Sequence, residues 1–258
     1  MQAALRQELT THLAAFVTER RAARIEAVLA QRTRHLTLVL EDVYQPHNAS
    51  AVLRSCECFG VQDVHIVEDR NQYTVSRGIS LGAGQWLSLV RYRSGEGRDM
   101  DACAAALRQA GYRLVAATPE AAASGAGSTP APELPVERPL AVVFGTEDEG
   151  LTSRALELAD ERVHVPMYGF TESFNVSVSA ALVLRELTGR VRASGCAWGL
   201  TDEEKAQLRF QWYRLSIRRC DLILERYLRE RDLEAPPDLH LDLEAGREAA
   251  EPGAEDGS

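Results

Sequence analysis

The first segment with side chains that could do chemistry covers residues 41–54, directly after the apolar stretch 36–40. Its polar residues stand at a predicted strand-to-helix junction, where open α/β sheets bind ligands. The candidates for ligand contact are Asn48 and Arg54. They are six residues apart, about 240° around an ideal helix, so they meet one ligand only if Asn48 lies at a helix cap or in a loop. The alternative is an N-cap at Asn48 or Ser50 and a surface arginine.

The second segment, residues 144–151, reads Phe-Gly-Thr-Glu-Asp-Glu-Gly-Leu and follows a predicted strand at 140–144. Glycines at 145 and 150 would let the backbone approach a ligand closely. Glu147 would then be held at the carboxyl end of the strand. The alternative is an acidic turn that caps a helix beginning near Thr152.

The third segment, residues 165–182, leads from a polar loop into a predicted helix rich in small residues. Ser173 and Asn175 precede the helix body, so their side chains and amides could point at a ligand. Small residues at 177 and 179–181 permit very close packing. The alternative is Asn175 as the plain N-cap of a core helix.

The elements that must position these segments alternate along the chain. Strands are predicted near 36–40, 63–67, 87–92, 113–117, 140–144 and 162–165, with helices near 48–59, 101–110, 152–159 and 175–191. This alternation predicts an α/β fold with a largely parallel sheet. Residues 77–86 read as a glycine-rich loop, and residues 119–139, with five of the ten prolines, as a loop or flexible insertion. Both ends, 2–30 and 202–230, read as helical.

The negative charge of the chain is concentrated at its C-terminus. The net charge is −9, but residues 232–258 carry nine acids and one arginine, a charge of −8, which leaves −1 for the rest. Residues 1–34 hold six arginines against three glutamates, and residues 205–219 hold five basic residues and no acid. The global acidity therefore does not exclude nucleic acid as a partner. The alternative is that both basic stretches are solvated amphipathic helices. The candidate nucleic-acid contacts are Arg20, Arg21, Arg24, Lys205, Arg209, Arg214 and Arg218.

Length and composition are those of a globular protein. The 258 residues, 45% apolar and 26% charged, suffice for one large or two small domains. No apolar run approaches the roughly 20 residues that span a bilayer, and the N-terminus lacks an apolar signal core, which predicts a cytoplasmic protein. Five scattered cysteines fit a reducing compartment, and Cys56-x-Cys58 lacks the second pair of a zinc site. The broken glycine fingerprint at 82–84 does not favour a nicotinamide oxidoreductase.

The three segments, in this order and spacing, resemble the three motifs of the SpoU/TrmH family, the RNA ribose 2′-O-methyltransferases of the SPOUT superfamily. The matching strings are Pro-His-Asn-x-Ser-Ala-x-Leu-Arg, Phe-Gly-x-Glu-x-x-Gly-Leu and Ser-x-Asn-Val-Ser-Val-x-Ala-Ala. Within the family the likeness is greatest to the branch that methylates the guanosine at position 18 of the tRNA D-loop. Two alternatives stay open: a sister enzyme acting on ribosomal RNA or another tRNA ribose, and an RNA-binding module that has lost catalysis.

The resemblance also implies an architecture. It implies an α/β SPOUT-type domain with a deep C-terminal trefoil knot, a feature that folds otherwise avoid. It further implies a homodimer and S-adenosylmethionine as methyl donor, with no metal. The expected regions are an N-terminal helical extension at 1–34, the methyltransferase domain at 35–195 with its flexible insertion near 119–139, a basic helical extension at 196–231 and an acidic disordered tail at 232–258.

Site residues carry over from the family position by position. The catalytic set is Arg54, Asn48, Glu147, Ser173 and Asn175, and the methyl-donor set is Thr118, Gly145, Val165 and Phe174. A phenylalanine at 174 departs from the family's usual leucine. Because arginine keeps its proton in nearly all protein sites, Arg54 has two open roles: accepting the 2′ proton, or clamping a phosphate while charged. The clamp is favoured, since one such electrostatic contact is worth about 2.7–4 kcal/mol.

Overall fold

The computed structural model describes residues 1–43, 45–70, 82–93, 99–119 and 127–236. They divide into two compact units. One is the α/β unit Thr33–Trp198, and the other combines Met1–Arg32 with the chain from Gly199 onward. The two terminal extensions, expected as separate regions, thus belong to one unit. The acidic tail from residue 237 lies outside the described residues.

The α/β unit is built on one parallel sheet. Its described strands are β1 (Leu36–Glu41), β2 (Asp63–Val67), β3 (Ser88–Tyr92), β4 (Arg113–Ala117), β5 (Thr129–Pro130), β6 (Leu140–Phe144) and β7 (Glu161–His164). Their order is β3-β2-β1-β6-β4-β7-β5, and every pairing is parallel. On β1, Leu38 is paired with Val64 on one side and Val142 on the other. The predicted α/β fold with a largely parallel sheet is confirmed.

The described helices of the whole chain are α1 (Ala3–Ala14), α2 (Glu19–Leu29), α3 (Pro46–Phe59), α4 (Asp99–Gln109), α5 (Ser153–Leu158), α6 (Val176–Ala193), α7 (Asp202–Ser216) and α8 (Cys220–Glu230). Two apolar cores cover the two faces of the sheet. Leu36, Leu38 and Leu40 face α3 and α6, whereas Val39 faces α4 and α5. Because both faces are covered, β6 reads as a continuous apolar run rather than an alternating one. Truncating Leu38, which is fully buried, to alanine would cost about 2–5 kcal/mol.

Several element boundaries differ from prediction. Helix α3 begins at Pro46 with Gln45 as its N-cap, not at Asn48 or Ser50, because proline is favoured in the first helical turn. Gly60, with φ of 81°, ends this helix as predicted. Of the segment 77–86 only residues 82–86 are described, and Ala83–Trp86 form a 3₁₀ turn.

The described part of the proline-rich segment, residues 127–139, is tied to the sheet. Strand β5 adds to the edge at β7, where a proline without an N–H is tolerated. Ala131, Leu134 and Val136 are buried in the core on the α3 and α6 side. This part is therefore held by packing and is not a free loop.

The second unit is helical. Helices α1 and α2 both pack against α7. Thr201 and Glu204 form a capping box at the start of α7. The predicted single helical stretch at 202–230 is interrupted, because Arg219 adopts a left-handed φ of 57° between α7 and α8. In the parts of the chain that the structure describes, no helix has the length and apolar character needed to cross a membrane.

Candidate methyl-donor pocket and its amide cluster

A cavity of about 580 Å³ opens at the carboxyl ends of β4, β6 and β7. Its walls come from the chain after β4 and from the loops that follow β6 and β7. This is the edge of a parallel sheet where ligands bind, and the volume falls within the roughly 300–1,000 Å³ of small-molecule sites. The second and third segments of the sequence analysis supply most of the lining.

The loop after β6 folds back on itself. The backbone N–H of Thr146 donates to the carbonyl of Gly150 at 3.0 Å, and that of Gly150 donates back at 3.1 Å. A Cβ on Gly145 would lie 2.1 Å from the Gly150 carbonyl oxygen, and Gly150 itself has a φ of +71°. Gly145 is thus required by the close packing of the loop, and Gly150 by its left-handed backbone conformation. The loop presents Glu147 to the cavity.

Glu41, at the end of β1, holds the far side of this loop. Its carboxylate is buried and accepts from the backbone N–H of Thr152 at 2.9 Å and from its hydroxyl at 2.6 Å. Thr152 in turn caps α5. Burial raises the pKa of Glu41, and the hydrogen bonds from Thr152 offset part of that rise. The predicted helix cap near Thr152 and the ligand-facing loop are therefore both present in one structure.

Asn175 joins all three sequence segments. Its amide nitrogen donates to Oδ1 of Asn48 at 3.2 Å and to the carboxylate of Glu147. Its carbonyl oxygen accepts from the backbone N–H of Ser177 at 2.9 Å and from the Ser177 hydroxyl at 2.6 Å, which caps α6. Asn48 also donates to Gln45 at 2.8 Å. We call Asn48, Glu147 and Asn175 the amide cluster.

The structure places the predicted donor-site residues around one cavity. Thr118, Gly145, Val165 and Phe174 all line it, together with Glu147 and Ser173. The Thr118 hydroxyl is buried there without a hydrogen-bond partner. Because buried polar groups normally have partners, this hydroxyl fits a cavity that receives a polar ligand. The role of each residue stays a prediction.

Arg54 is not brought to this cavity. It is exposed on α3 and does not line the pocket, whereas Asn48 is only 4% exposed within the same helix. Because both residues lie inside α3, their six-residue spacing turns them to different sides. The condition for a shared ligand, Asn48 at a cap or in a loop, is not met within one chain.

The candidate RNA contacts in the helical unit differ in accessibility. Arg20, Arg24 and Arg218 are exposed, as is Arg21, which donates to Ser216. Lys205 pairs with Asp202, and Arg209 pairs with Glu26.

Arg214 must be removed from the predicted set. Its side chain is 1% exposed, lies over the ring of Phe210 and pairs with Asp221 at 3.6 Å. The local count of basic residues could not reveal this burial, since it depends on which face of α7 packs.

Two residues of the site were missed. Gln45 accepts from Asn48, and Ser177 completes the cap of α6. A backbone N–H often donates to the side chain of an Asn two residues earlier, so the pattern Asn175-x-Ser177 could have indicated this cap from the sequence.

No three His, Cys, Asp or Glu side chains of the described residues form a group that could hold a metal ion. The metal-free reaction stays a prediction.

Comparison with known families decides the class of this site. The model of the SpoU rRNA methylase family matches residues 35–185, which contain all three segments whole. The chain belongs to the SpoU rRNA methylase family. Its amide cluster and the cavity beside it lie within the residues matched to that family.

Individual relatives support the assignment. A tRNA (guanosine(18)-2′-O)-methyltransferase of Borreliella burgdorferi is 37% identical over 211 residues, 82% of this SpoU-family chain and 92% of the relative. One from Thermus thermophilus is 36% identical over 169 residues, 66% of this chain and 82% of that one. The crystal structure of the A. aeolicus TrmH/SpoU tRNA modifying enzyme matches with a TM-score of 0.65 at 24% identity, over 77% of this chain and 96% of that one. That structure shares the fold.

Proposed function

We propose that this SpoU-family protein transfers a methyl group from S-adenosylmethionine to the ribose 2′-oxygen of guanosine 18 in tRNA. One observation carries the proposal: Asn175 joins a side chain from each of the three motif segments beside a cavity of suitable size. Relatives that match most of the chain are named for this reaction on tRNA, which favours tRNA over ribosomal RNA.

The donor would be held by Thr118, Gly145, Val165 and Phe174. The buried, unpartnered Thr118 hydroxyl offers a hydrogen bond, and apolar lining such as Val163 offers contact with nonpolar parts of the donor. When bound, S-adenosylmethionine supplies an already activated methyl group. The protein must then align the two reacting atoms, a task in which fixed geometry accounts for much of the rate.

The amide cluster would orient the ribose at the mouth of the cavity. Asn175 fixes the Glu147 carboxylate, which lines the cavity, and Ser173 lines it from the opposite loop. Arg54 would stay charged, clamp a phosphate of the RNA and stabilise negative charge developing on the 2′-oxygen. A fixed guanidinium suits this role because its planar fork matches phosphate.

A homodimer would complete the site. Phe174, just before α6, and Val178 and Leu182 on it are spaced four residues apart and are 41%, 44% and 40% exposed, which makes an apolar stripe. Exposed apolar stripes of this kind mark protein interfaces. Since Arg54 lies outside the cavity of its own chain, we infer that it serves the cavity of the second copy.

The remaining features follow the family resemblance. The deep C-terminal trefoil knot is proposed on the family resemblance alone. The extensions 1–34 and 196–231 would meet tRNA through Arg20, Arg21, Arg24, Lys205, Arg209 and Arg218. The domain at 35–195 would carry the chemistry in the cytoplasm.

The test is methyl transfer to a defined RNA. The protein is incubated with methyl-labelled S-adenosylmethionine and unmodified tRNA transcript, and the labelled nucleotide is mapped, with Arg54→Ala and a transcript lacking guanosine 18 as controls. Label at guanosine 18 that both controls abolish is the expected result. Label on ribosomal RNA alone would move the protein to a sister group. Donor binding without label on either RNA would contradict the proposed substrate, and failure to bind the donor at all would favour an RNA-binding module.

A further inference from the structure

Arg70, just after β2, ties two strand ends to the loop that follows β6. Its backbone N–H donates to Oδ1 of Asp42 at 2.8 Å, and its Nε donates to Oδ2 of Asp42 at 3.1 Å. Its Nη1 donates to the Glu149 carboxylate at 2.6 Å. One guanidinium therefore bridges the residue after β1 and the tip of the loop Thr146–Gly150.

The two carboxylates that Arg70 bridges differ in burial: Asp42 is fixed in the protein interior, whereas Glu149 lies on an exposed loop. Asp42 is 1% exposed and adopts a left-handed φ of 53°, so its position is set by the sheet. Glu149 is 69% exposed on the loop. A buried carboxylate needs a paired charge, and the planar fork of arginine holds two partners in set directions. Arg70 thus transmits the position of the sheet edge to the loop.

The loop Thr146–Gly150, which Arg70 holds through Glu149, contacts both the cavity and the amide cluster. Glu149 and Glu147 line the cavity, and Glu147 accepts from Asn175 in the amide cluster. Arg70 itself does not line the cavity. Any effect of Arg70 on the donor site must therefore pass through the loop.

We propose that Arg70 is a positioning residue for methyl transfer, which holds the loop Thr146–Gly150 in the shape that binds the methyl donor. The inference rests on the proposed function, because it takes the cavity for the donor site. A loop held in its bound shape loses less conformational freedom on binding, so donor affinity is higher. Arg70 acts on the donor and not on RNA affinity.

The experiment is a double-mutant cycle on the full-length protein, read by calorimetric titration with S-adenosylmethionine. We expect Arg70→Gln and Glu149→Gln each to raise the donor Kd about tenfold, equivalent to about 1.4 kcal/mol. The double variant should be no weaker than either single one, because both remove the same link. Arg70→Lys should recover part of the affinity. The KM for tRNA should not change.

Arg154→Gln is the matched control. Arg154 also pairs with two carboxylates, those of Asp101 and Glu157, and is 53% exposed against 48% for Arg70. The Arg154→Gln variant should leave the donor Kd unchanged, while its Tm should fall by about as much as that of Arg70→Gln.

Several outcomes would overturn the proposal. An unchanged donor Kd in Arg70→Gln or Glu149→Gln would do so, as would additive effects in the double variant. Should Arg70→Gln fold poorly, Glu149→Gln alone decides, since its exposed side chain is not needed for folding. Wild-type protein that binds donor but methylates no RNA would overturn only the proposed function. Wild-type protein that binds no donor would overturn both.

Discussion

The amide nitrogen of Asn175 lies 3.2 Å from Oδ1 of Asn48, although 127 residues separate them in the chain. The same nitrogen donates to Glu147, and the carbonyl oxygen of the amide accepts two hydrogen bonds from Ser177. Both donors and the acceptor of this one side chain are therefore used. The contact makes one site out of three separate segments of sequence.

The substitution Asn175→Asp should separate the two roles of this amide, which are capping α6 and donating to Asn48 and Glu147. Aspartate keeps the cap of α6 but loses both donors and places a second carboxylate beside Glu147. We expect kcat/KM to fall about 100-fold, as for loss of one well-placed donor, with Tm nearly unchanged. Asn175→Ala should lose activity and also about 1 kcal/mol of stability with the cap. Full activity in Asn175→Asp would show that the donors do not matter.

Complementation between variants tests which chain supplies Arg54. Arg54→Ala and Glu147→Ala are each expected to be inactive as homodimers. If Arg54 serves the second copy's cavity, a randomly mixed population should recover about a quarter of wild-type activity, since half the dimers are mixed and each has one intact site. The measurement is methyl transfer by the co-refolded mixture. No recovery would place Arg54 at its own chain's site.

Leu182→Glu should prevent dimer formation. Leu182 is 40% exposed on α6, and a carboxylate placed in an apolar interface loses its hydration without a partner. We expect sedimentation velocity at micromolar concentration to show the proposed dimer for wild type and a monomer for Leu182→Glu. Leu222→Glu is the control, because Leu222 is 58% exposed on α8, outside the stripe, and should leave the dimer intact. If Leu182→Glu is still dimeric, the interface does not include this part of α6.

Glu41 should make stability depend on pH in a known direction. Its pKa is raised by burial, so the folded state holds this proton more tightly than the unfolded state. Wild type should therefore gain stability relative to Glu41→Gln as pH falls through the raised pKa, and lose that gain as pH rises above it. Thermal unfolding of both proteins between about pH 4 and pH 8 measures the difference. A pH-independent difference in Tm would contradict the assignment.

Salt dependence distinguishes RNA-facing arginines from buried or paired ones. Arg24 and Arg218 are exposed in the two basic stretches. Each glutamine variant should weaken tRNA binding and lower the slope of log Kd against log salt by about one, as expected for one lost phosphate contact. Arg226→Gln, on α8 and paired with Glu230, is the control and should leave the slope unchanged. An unaltered slope in both test variants would show that Arg24 and Arg218 do not contact phosphates of the RNA.

Local sequence was sufficient for most of the fold. The apolar runs at 36–40 and 140–144 are strands, Gly60 ends α3, and Asn175 caps α6. These features depend on short-range chemistry: side-chain size, backbone φ and the capping of free N–H groups. The three segments that form the site were recognisable for the same reason, since each combines an apolar strand with polar residues at its end.

Only the tertiary structure decided which of these polar residues meet. Helix α3 contains both Asn48 and Arg54, whose six-residue spacing turns them to different sides, and the fold brings only the Asn48 side to Asn175. Packing buries Arg214, which its sequence position alone predicts to be an RNA contact. Asp42, Arg70 and Glu149 come from three loops, and no spacing rule joins them. Such contacts depend on the order of strands in the sheet, which brings distant carboxyl ends together and which no local pattern specifies.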